Sequence, residues 1–274
     1  MLTTRLITAA ILLPLIIGAL LWLPNTYWAV VLLPLLFIGS REWARLAGYP
    51  RNGSLLFSGV VLLPAILSVL SASVDASRLA AFYLPPDGIV CGTAVLFWVF
   101  LAPAWLRGKW RVTNSLALGL TGWIVLVPTW MALVRLQNQP LQLLALLGIV
   151  WVADIAAYLA GRGFGRRKLA PEISPGKTWE GVIGAGIAVA VYYGVLRFAL
   201  APGTVWLGGP AGLLLCGAIT IMSIEGDLFE SWIKRRAGVK DSGSLLPGHG
   251  GVLDRIDGLT ASMPLAALVS LYIG

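Results

Sequence analysis

Apolar runs about as long as a bilayer is thick recur along this chain, and they limit what it can fold into. A membrane-spanning helix needs about 20 mostly apolar residues. Nine apolar stretches are present, at roughly 6–23, 27–40, 54–71, 88–106, 116–136, 141–160, 180–198, 211–226 and 258–273, the second and the last two of them short. Charged residues make up only 12% of the 274 and hydrophobic types 58%, whereas a soluble chain carries about 25% charged residues. A soluble domain, a disordered chain and a disulfide scaffold are excluded. A membrane β-barrel is disfavoured, because its strands alternate apolar and polar residues and these runs do not. The expected fold is therefore all-α, a polytopic transmembrane helical bundle of about nine spans. Pro14, Pro34, Pro64, Pro103 and Pro128 fall inside runs and read as kinks, tolerated where neighbouring helices satisfy the freed carbonyls. The first run ends at Leu23-Pro24-Asn25 without a small-residue cleavage site, so it reads as a retained helix rather than a signal peptide.

Orientation follows from the loop charges, since Lys and Arg concentrate on the cytoplasmic side. With nine spans, the N-terminus and the even-numbered loops share one side. That side holds Arg5, Arg41, Arg45, Arg51, Arg107, Lys109, Arg111, Arg162, Arg166, Arg167, Lys168, Lys177, Lys234, Arg235, Arg236, Lys240 and Arg255, which is 17 of the 20 basic residues. Arg78, Arg135 and Arg197 fall on the other side. The expectation is a cytoplasmic N-terminus and an external C-terminus, in the inner membrane. The net charge of +8 is thereby mostly topology and points to no nucleic-acid partner. Cys91 and Cys216 sit in apolar stretches without a CxxC or a Cys/His cluster, so zinc and thiol redox chemistry are not expected.

The scarce acids are the informative charges. Six of twelve lie between 225 and 257: Glu225, Asp227, Glu230, Asp241, Asp254 and Asp257. Asp154, Glu172 and Glu180 flank the preceding cytoplasmic loop, while the first half holds only Glu42, Asp75 and Asp87. Two regions follow: 1–140, carrying N-terminal and middle spans, and 141–274, where the chemistry is expected. If the eighth span continues as a helix, Asp227, Glu230, Ser231, Lys234 and Arg235 fall on one face and Leu228, Phe229, Trp232 and Ile233 on the other. A carboxylate followed by cations one to two turns on suits a metal and then a phosphate. The segment Lys240-Asp241-Ser242-Gly243 to Gly248-His249-Gly250-Gly251 is glycine-rich and can form an anion-binding nest of backbone N–H groups. Asp254 and Asp257 open the ninth span, where unpaired carboxylates are costly. Oxygen ligands without Cys or His point to Mg2+, which uses one or two carboxylates plus substrate phosphates. Asp227 and Asp254 are the first-choice ligands.

Two further segments belong to the same region. Asp154, Tyr158 and Arg162 lie at i, i+4 and i+8, with Asp154 inside a span and so functional or paired. The run Ser174-Pro175-Gly176-Lys177-Thr178 contains Gly-Lys-Thr, but Pro171 stands where a P-loop needs its first glycine and no strand is expected before it. A P-loop is rejected. Ser174, Lys177 and Thr178 are instead expected at the start of the seventh span, where helix N–H groups favour phosphate. Gly181, Gly184, Ala185 and Ala188 read as small-residue helix packing.

Together these residues resemble the phosphatidate cytidylyltransferase (CDP-diacylglycerol synthase) family. The family signature runs Ser, any, apolar, Lys-Arg, four residues, Lys-Asp, any, small, two residues, apolar, Pro or Gly, any, His-Gly-Gly, apolar, any, Asp-Arg, apolar, Asp. It is met in full from Ser231 to Asp257. Asp154…Tyr158…Gly161 and Ser174-Pro175…Lys177-Thr178-Trp179 are similar too, so the close resemblance covers roughly 150–265. Ile155 stands where a small or hydroxyl residue is expected, and Glu225 where an apolar one is. The resemblance implies the reaction of CTP with phosphatidate (phosphatidic acid) to give CDP-diacylglycerol and pyrophosphate, and a dimer in the lipid bilayer. It implies Mg2+ on Asp227 and Asp254 with Asp257 close by, and a second cation is plausible. Lys240, Asp241, His249 and Arg255 complete the expected catalytic set. Ser174, Lys177, Thr178, Ser231, Lys234, Arg235, Gly250 and Gly251 are expected to bind substrate. A polyprenol kinase or ether-lipid synthase is the nearest alternative. An ion-coupled transporter would place its acids deep in matched halves, and here they cluster at one membrane face.

Overall fold

The computed structural model describes residues 2–73, 87–199, 208–245 and 250–273. Among them, each of the nine apolar runs is a helix: α1 Leu2–Trp22, α2 Asn25–Leu46, α3 Arg51–Ser73, α4 Asp87–Gly108, α5 Ser115–Leu136, α6 Pro140–Phe164, α7 Trp179–Ala199, α8 Gly209–Arg236 and α9 Leu253–Ile273. Six of these, α3 to α8, are long and apolar enough to cross a membrane. A short hairpin sits between α6 and α7, formed by β1 Lys168–Ala170 and β2 Ser174–Thr178, paired antiparallel. His249 lies outside the described residues, as do Asp75 and Arg78.

The prolines sit inside helices, as expected: Pro14 in α1, Pro34 in α2, Pro64 in α3 and Pro128 in α5, with Pro264 in α9 as well. In α4 the strain is visible. Pro103 cannot donate and crowds the preceding turn, and just ahead of it the helix widens into a π turn at Phe97–Leu101, with the Ala102 N–H bonding back to Phe97 O. Phe97 and Trp98 from this turn, with Trp105, surround Phe229 of α8 edge-on at 5.4–5.5 Å. This is the apolar face of α8, and it fixes how the opposite, charged face is presented.

α9 is the centre of the bundle, packing against α2, α4, α5, α6 and α8. Polar contacts gather at the two ends. At one end Arg236 donates to Leu46 O and Val112 O, Arg45 to Ser242 O, Trp232 Nε1 to Trp110 O at 3.1 Å, and Lys109 to Glu172 at 2.6 Å. These join the α2–α3, α4–α5, α6–α7 and α8–α9 connections. At the other end Asn25 and Gln137 bond each other, and Gln137 also bonds Leu20 O and Leu23 O.

Candidate active site

The site begins where α8 crosses α9. A methyl group on Gly226 would strike the backbone carbonyl of Asp257, and one on Gly258 would meet Ser223 and Val150 at 3.3 Å. The two backbones touch because neither helix has a side chain at the crossing. α8 therefore continues through Gly226 without a break and carries Asp227 directly past Asp257. Asp227 is close enough to both Asp154 and Asp257 for the carboxylates to repel. The compensating cations are Lys177, which pairs with Asp227 Oδ2 at 2.7 Å, and Arg255, whose charge acts on Asp154. Lys177 Nζ also donates to Ile224 O at 3.2 Å. Among the described residues, the other Asp227 oxygen receives the Ser231 hydroxyl alone, at 3.3 Å. With its side chain 35% exposed, Asp227 is an open carboxylate of the site, as is the exposed Asp154.

Asp254 is the closed one, 7% exposed. It lies in the first turn of α9, ahead of the apolar stretch 258–273. Its Oδ1 accepts from Lys234 Nζ at 2.5 Å, and its Oδ2 from Ser242 N at 2.8 Å, Ser242 Oγ at 2.9 Å and Gly251 N at 2.8 Å. Burial would raise its pKa, but these donors outweigh that and hold it below the usual carboxylate value. Lys234 also pairs with Glu230 one turn back, at 3.2 Å. Gly250 adopts a left-handed φ of 80°, and a side chain there would collide with Asp254. The Gly-Gly pair thus lets the loop wrap the carboxylate.

The expected helical face of α8 is present from Asp227 through Glu230 and Ser231 to Lys234, the last three buried. Arg235 is exposed and donates to Val239 O at 3.2 Å, closing the helix end. Lys240 and Asp241 are exposed. The Ser174–Thr178 segment corrects an expectation. It forms strand β2, and α7 starts only at Trp179. Thr178 Oγ1 accepts the Gly181 N–H at 3.1 Å, so the hydroxyl expected to meet a phosphate caps α7. A strand, β1, does precede the Gly-Lys-Thr, but it pairs with that same segment. The arrangement is therefore not the strand–loop–helix of a P-loop. The small-residue packing of α7 holds: methyl groups on Gly181 and Gly184 would meet Ala157 O and Ala160 Cβ of α6.

One residue of the site was missed. Glu42, near the end of α2, is 5% exposed and accepts from Ser242 Oγ, Val252 N and Leu253 N at 2.9, 3.0 and 2.9 Å. Its contacts lie about two hundred residues away in sequence, and as a lone acid it fell outside the acid-rich segment.

The geometry unites anion-binding cations with hard oxygen donors at one end of a membrane bundle. The model of the cytidylyltransferase family matches residues 3–273. The chain belongs to the cytidylyltransferase family. The match covers the N-terminal spans as well, so family membership extends well beyond the roughly 150–265 read from motifs. Among similar proteins, a phosphatidate cytidylyltransferase of Pseudomonas aeruginosa is 40% identical over 97% of this chain and 96% of its own length. Another of Haemophilus influenzae is 33% identical over the full length of both. One of Brucella suis is 54% identical across 127 residues, 46% of this chain and 44% of its own. Among the described residues, no three Asp, Glu, His or Cys side chains converge into a ready metal cage. A cytidylyltransferase site does not need one, since Mg2+ takes one or two carboxylates plus substrate phosphates. The all-oxygen donor set around Asp227 fits that ion.

Proposed function

We propose that this chain is a phosphatidate cytidylyltransferase, joining CTP and phosphatidate into CDP-diacylglycerol with release of pyrophosphate. The observation that carries the reading is full-length similarity to two proteins of that name, together with a site built for phosphates. Both substrates are anionic; Lys177 pairs with the open carboxylate Asp227, and the charge of Arg255 acts on Asp154. The nucleophile is already a phosphate, so the protein's work is positioning and charge neutralisation. Asp227, Asp254 and Asp257 are proposed to hold Mg2+, which when bound neutralises phosphate charge as it builds up. Asp254 must exchange one of its present donors for the metal. Asp227 need give up only its long bond from Ser231. Lys240, Asp241, Ser174, Thr178 and Arg235 complete the proposed substrate contacts, with His249 and Gly250-Gly251 approaching the leaving pyrophosphate.

The proposed topology is nine crossings with the N-terminus and the site cytoplasmic, the C-terminus external, and the protein in the inner membrane. What supports it is the sorting of contacts. The α2–α3, α4–α5, α6–α7 and α8–α9 connections meet at one end, and the α1–α2 and α5–α6 connections at the other. A homodimer is part of the proposal through the family resemblance, and cross-linking in membranes tests it. The deciding experiment supplies purified protein with labelled CTP and either phosphatidate or a polyprenol, with and without Mg2+. Label should enter lipid only with phosphatidate and Mg2+, with equimolar pyrophosphate. Transfer to polyprenol alone would overturn the reading.

A further inference from the structure

Glu42 is a buried carboxylate in an apolar bundle, a costly arrangement unless hydrogen bonds compensate it. Its donors are specific. Val252 N and Leu253 N open α9, where the first N–H groups have no partner within the helix and negative charge is favoured. α2 therefore supplies the N-terminal cap of α9 from the far end of the sequence. The third donor, the Ser242 hydroxyl, stands at 2.9 Å from Glu42 and at 2.9 Å from Asp254, so the loop is gripped between the two carboxylates.

The glycines around it are explained by the same side chain. Methyl groups placed on Gly243 or Gly251 would collide with the Glu42 carboxylate. Gly243 has no left-handed φ, so its backbone would accept alanine; the tightest obstacle is Glu42, with Gly251 Cα next at 3.0 Å. One turn along α2, Arg45 donates to Ser242 O and reinforces the grip. We propose that Glu42 is a positioning residue for cytidylyl transfer. It fixes Ser242-Gly243 and Gly251-Val252, which lead into the first turn of α9, so that Asp254, Arg255 and Asp257 face the substrate phosphates. The effect on turnover rests on the function proposed above; the effect on the loop does not.

The test uses full-length protein in lipid nanodiscs. Glu42→Gln keeps the size and removes the charge. Amide exchange at Val252 and Leu253 should quicken by about tenfold or more, as expected for losing a charged acceptor. With CTP and phosphatidate, kcat should fall about tenfold while KM for CTP changes less than about threefold, at an unchanged active fraction. Gly243→Ala should reproduce the kcat loss, and Glu42→Ala/Gly243→Ala should lose clearly less than the product of the two single losses. Unchanged exchange at both amides overturns the proposal whatever the substrate. Undiminished kcat in Glu42→Gln, or a multiplicative loss in the double variant, overturns it too. An inactive parent with quickened exchange in the variant would sink the assigned reaction and leave the positioning of the loop upheld.

Discussion

Replacing Lys234 by methionine keeps the bulk of the side chain and removes its charge. The ammonium lies between two carboxylates, 2.5 Å from Asp254 and 3.2 Å from Glu230, and all three side chains are 10% exposed or less. Water cannot replace the lost partner there. Removing one member of a buried ion pair costs about 3–5 kcal/mol, because the remaining charge is left uncompensated. Glu230 loses its ion-pair partner, while Asp254 keeps its donors from Ser242 and Gly251, so about 3–4 kcal/mol is expected. Each kcal/mol lowers Tm by about 2–4 °C in a chain of this size class, so the melting temperature should fall by roughly 6–16 °C. Tryptophan fluorescence during heating in detergent reads this directly. Glu230→Gln in the same background removes one stranded charge and should recover part of the loss. Lys234→Met melting within about 2 °C of the parent would refute the reasoning, since the triad would then contribute no more than an exposed ion pair.

Asp227→Asn removes the charge of the open carboxylate without altering its size, and CTP-dependent pyrophosphate release should fall by about a hundredfold or more with expression intact. Gly226→Ala places a methyl against the Asp257 carbonyl. It should cost about 1–3 kcal/mol by overpacking, read as a lower Tm, with activity falling because Asp227 moves relative to Asp257. Arg111→Ala removes an exposed charge; its kcat/KM should stay within about twofold of the parent, and a larger loss would extend the site to the α4–α5 connection.

The helices were legible because a bilayer demands apolar runs, and no other element needs runs of that length. α2 runs on past its apolar stretch to Leu46, since its last turns pass Arg41 and Arg45 and leave the apolar layer. The hairpin was not legible. Ser174-Pro175-Gly176 has the composition of a turn, with residues depleted in strands. What holds it is tertiary. The Glu180 carboxylate accepts the backbone N–H groups of Arg166 and Arg167 at 3.1–3.2 Å, and Lys177 reaches α8. Spacing predicted the shared face of Asp227, Glu230, Ser231 and Lys234, and the helix supplies it. Spacing did not separate the open Asp227 from the enclosed Asp254, because that difference depends on where Ser242 and Gly251 fold back.

Glu42 shows where counting charges stops working. Acid density found the segment 225–257 because in an apolar chain a cluster of carboxylates needs cations or a metal, and both leave marks in the sequence. A single buried carboxylate is bound by the same rule, that each lone pair taken from water needs a donor. Two of the three donors to Glu42 are backbone N–H groups, which every residue except proline possesses, so no side chain announces the partner. The trace it does leave is indirect: the small residue required at 243 and the glycine at 251, both of which make room for a carboxylate from α2. A glycine whose φ any residue could adopt, in a loop already rich in glycine, therefore signals a neighbour rather than a turn.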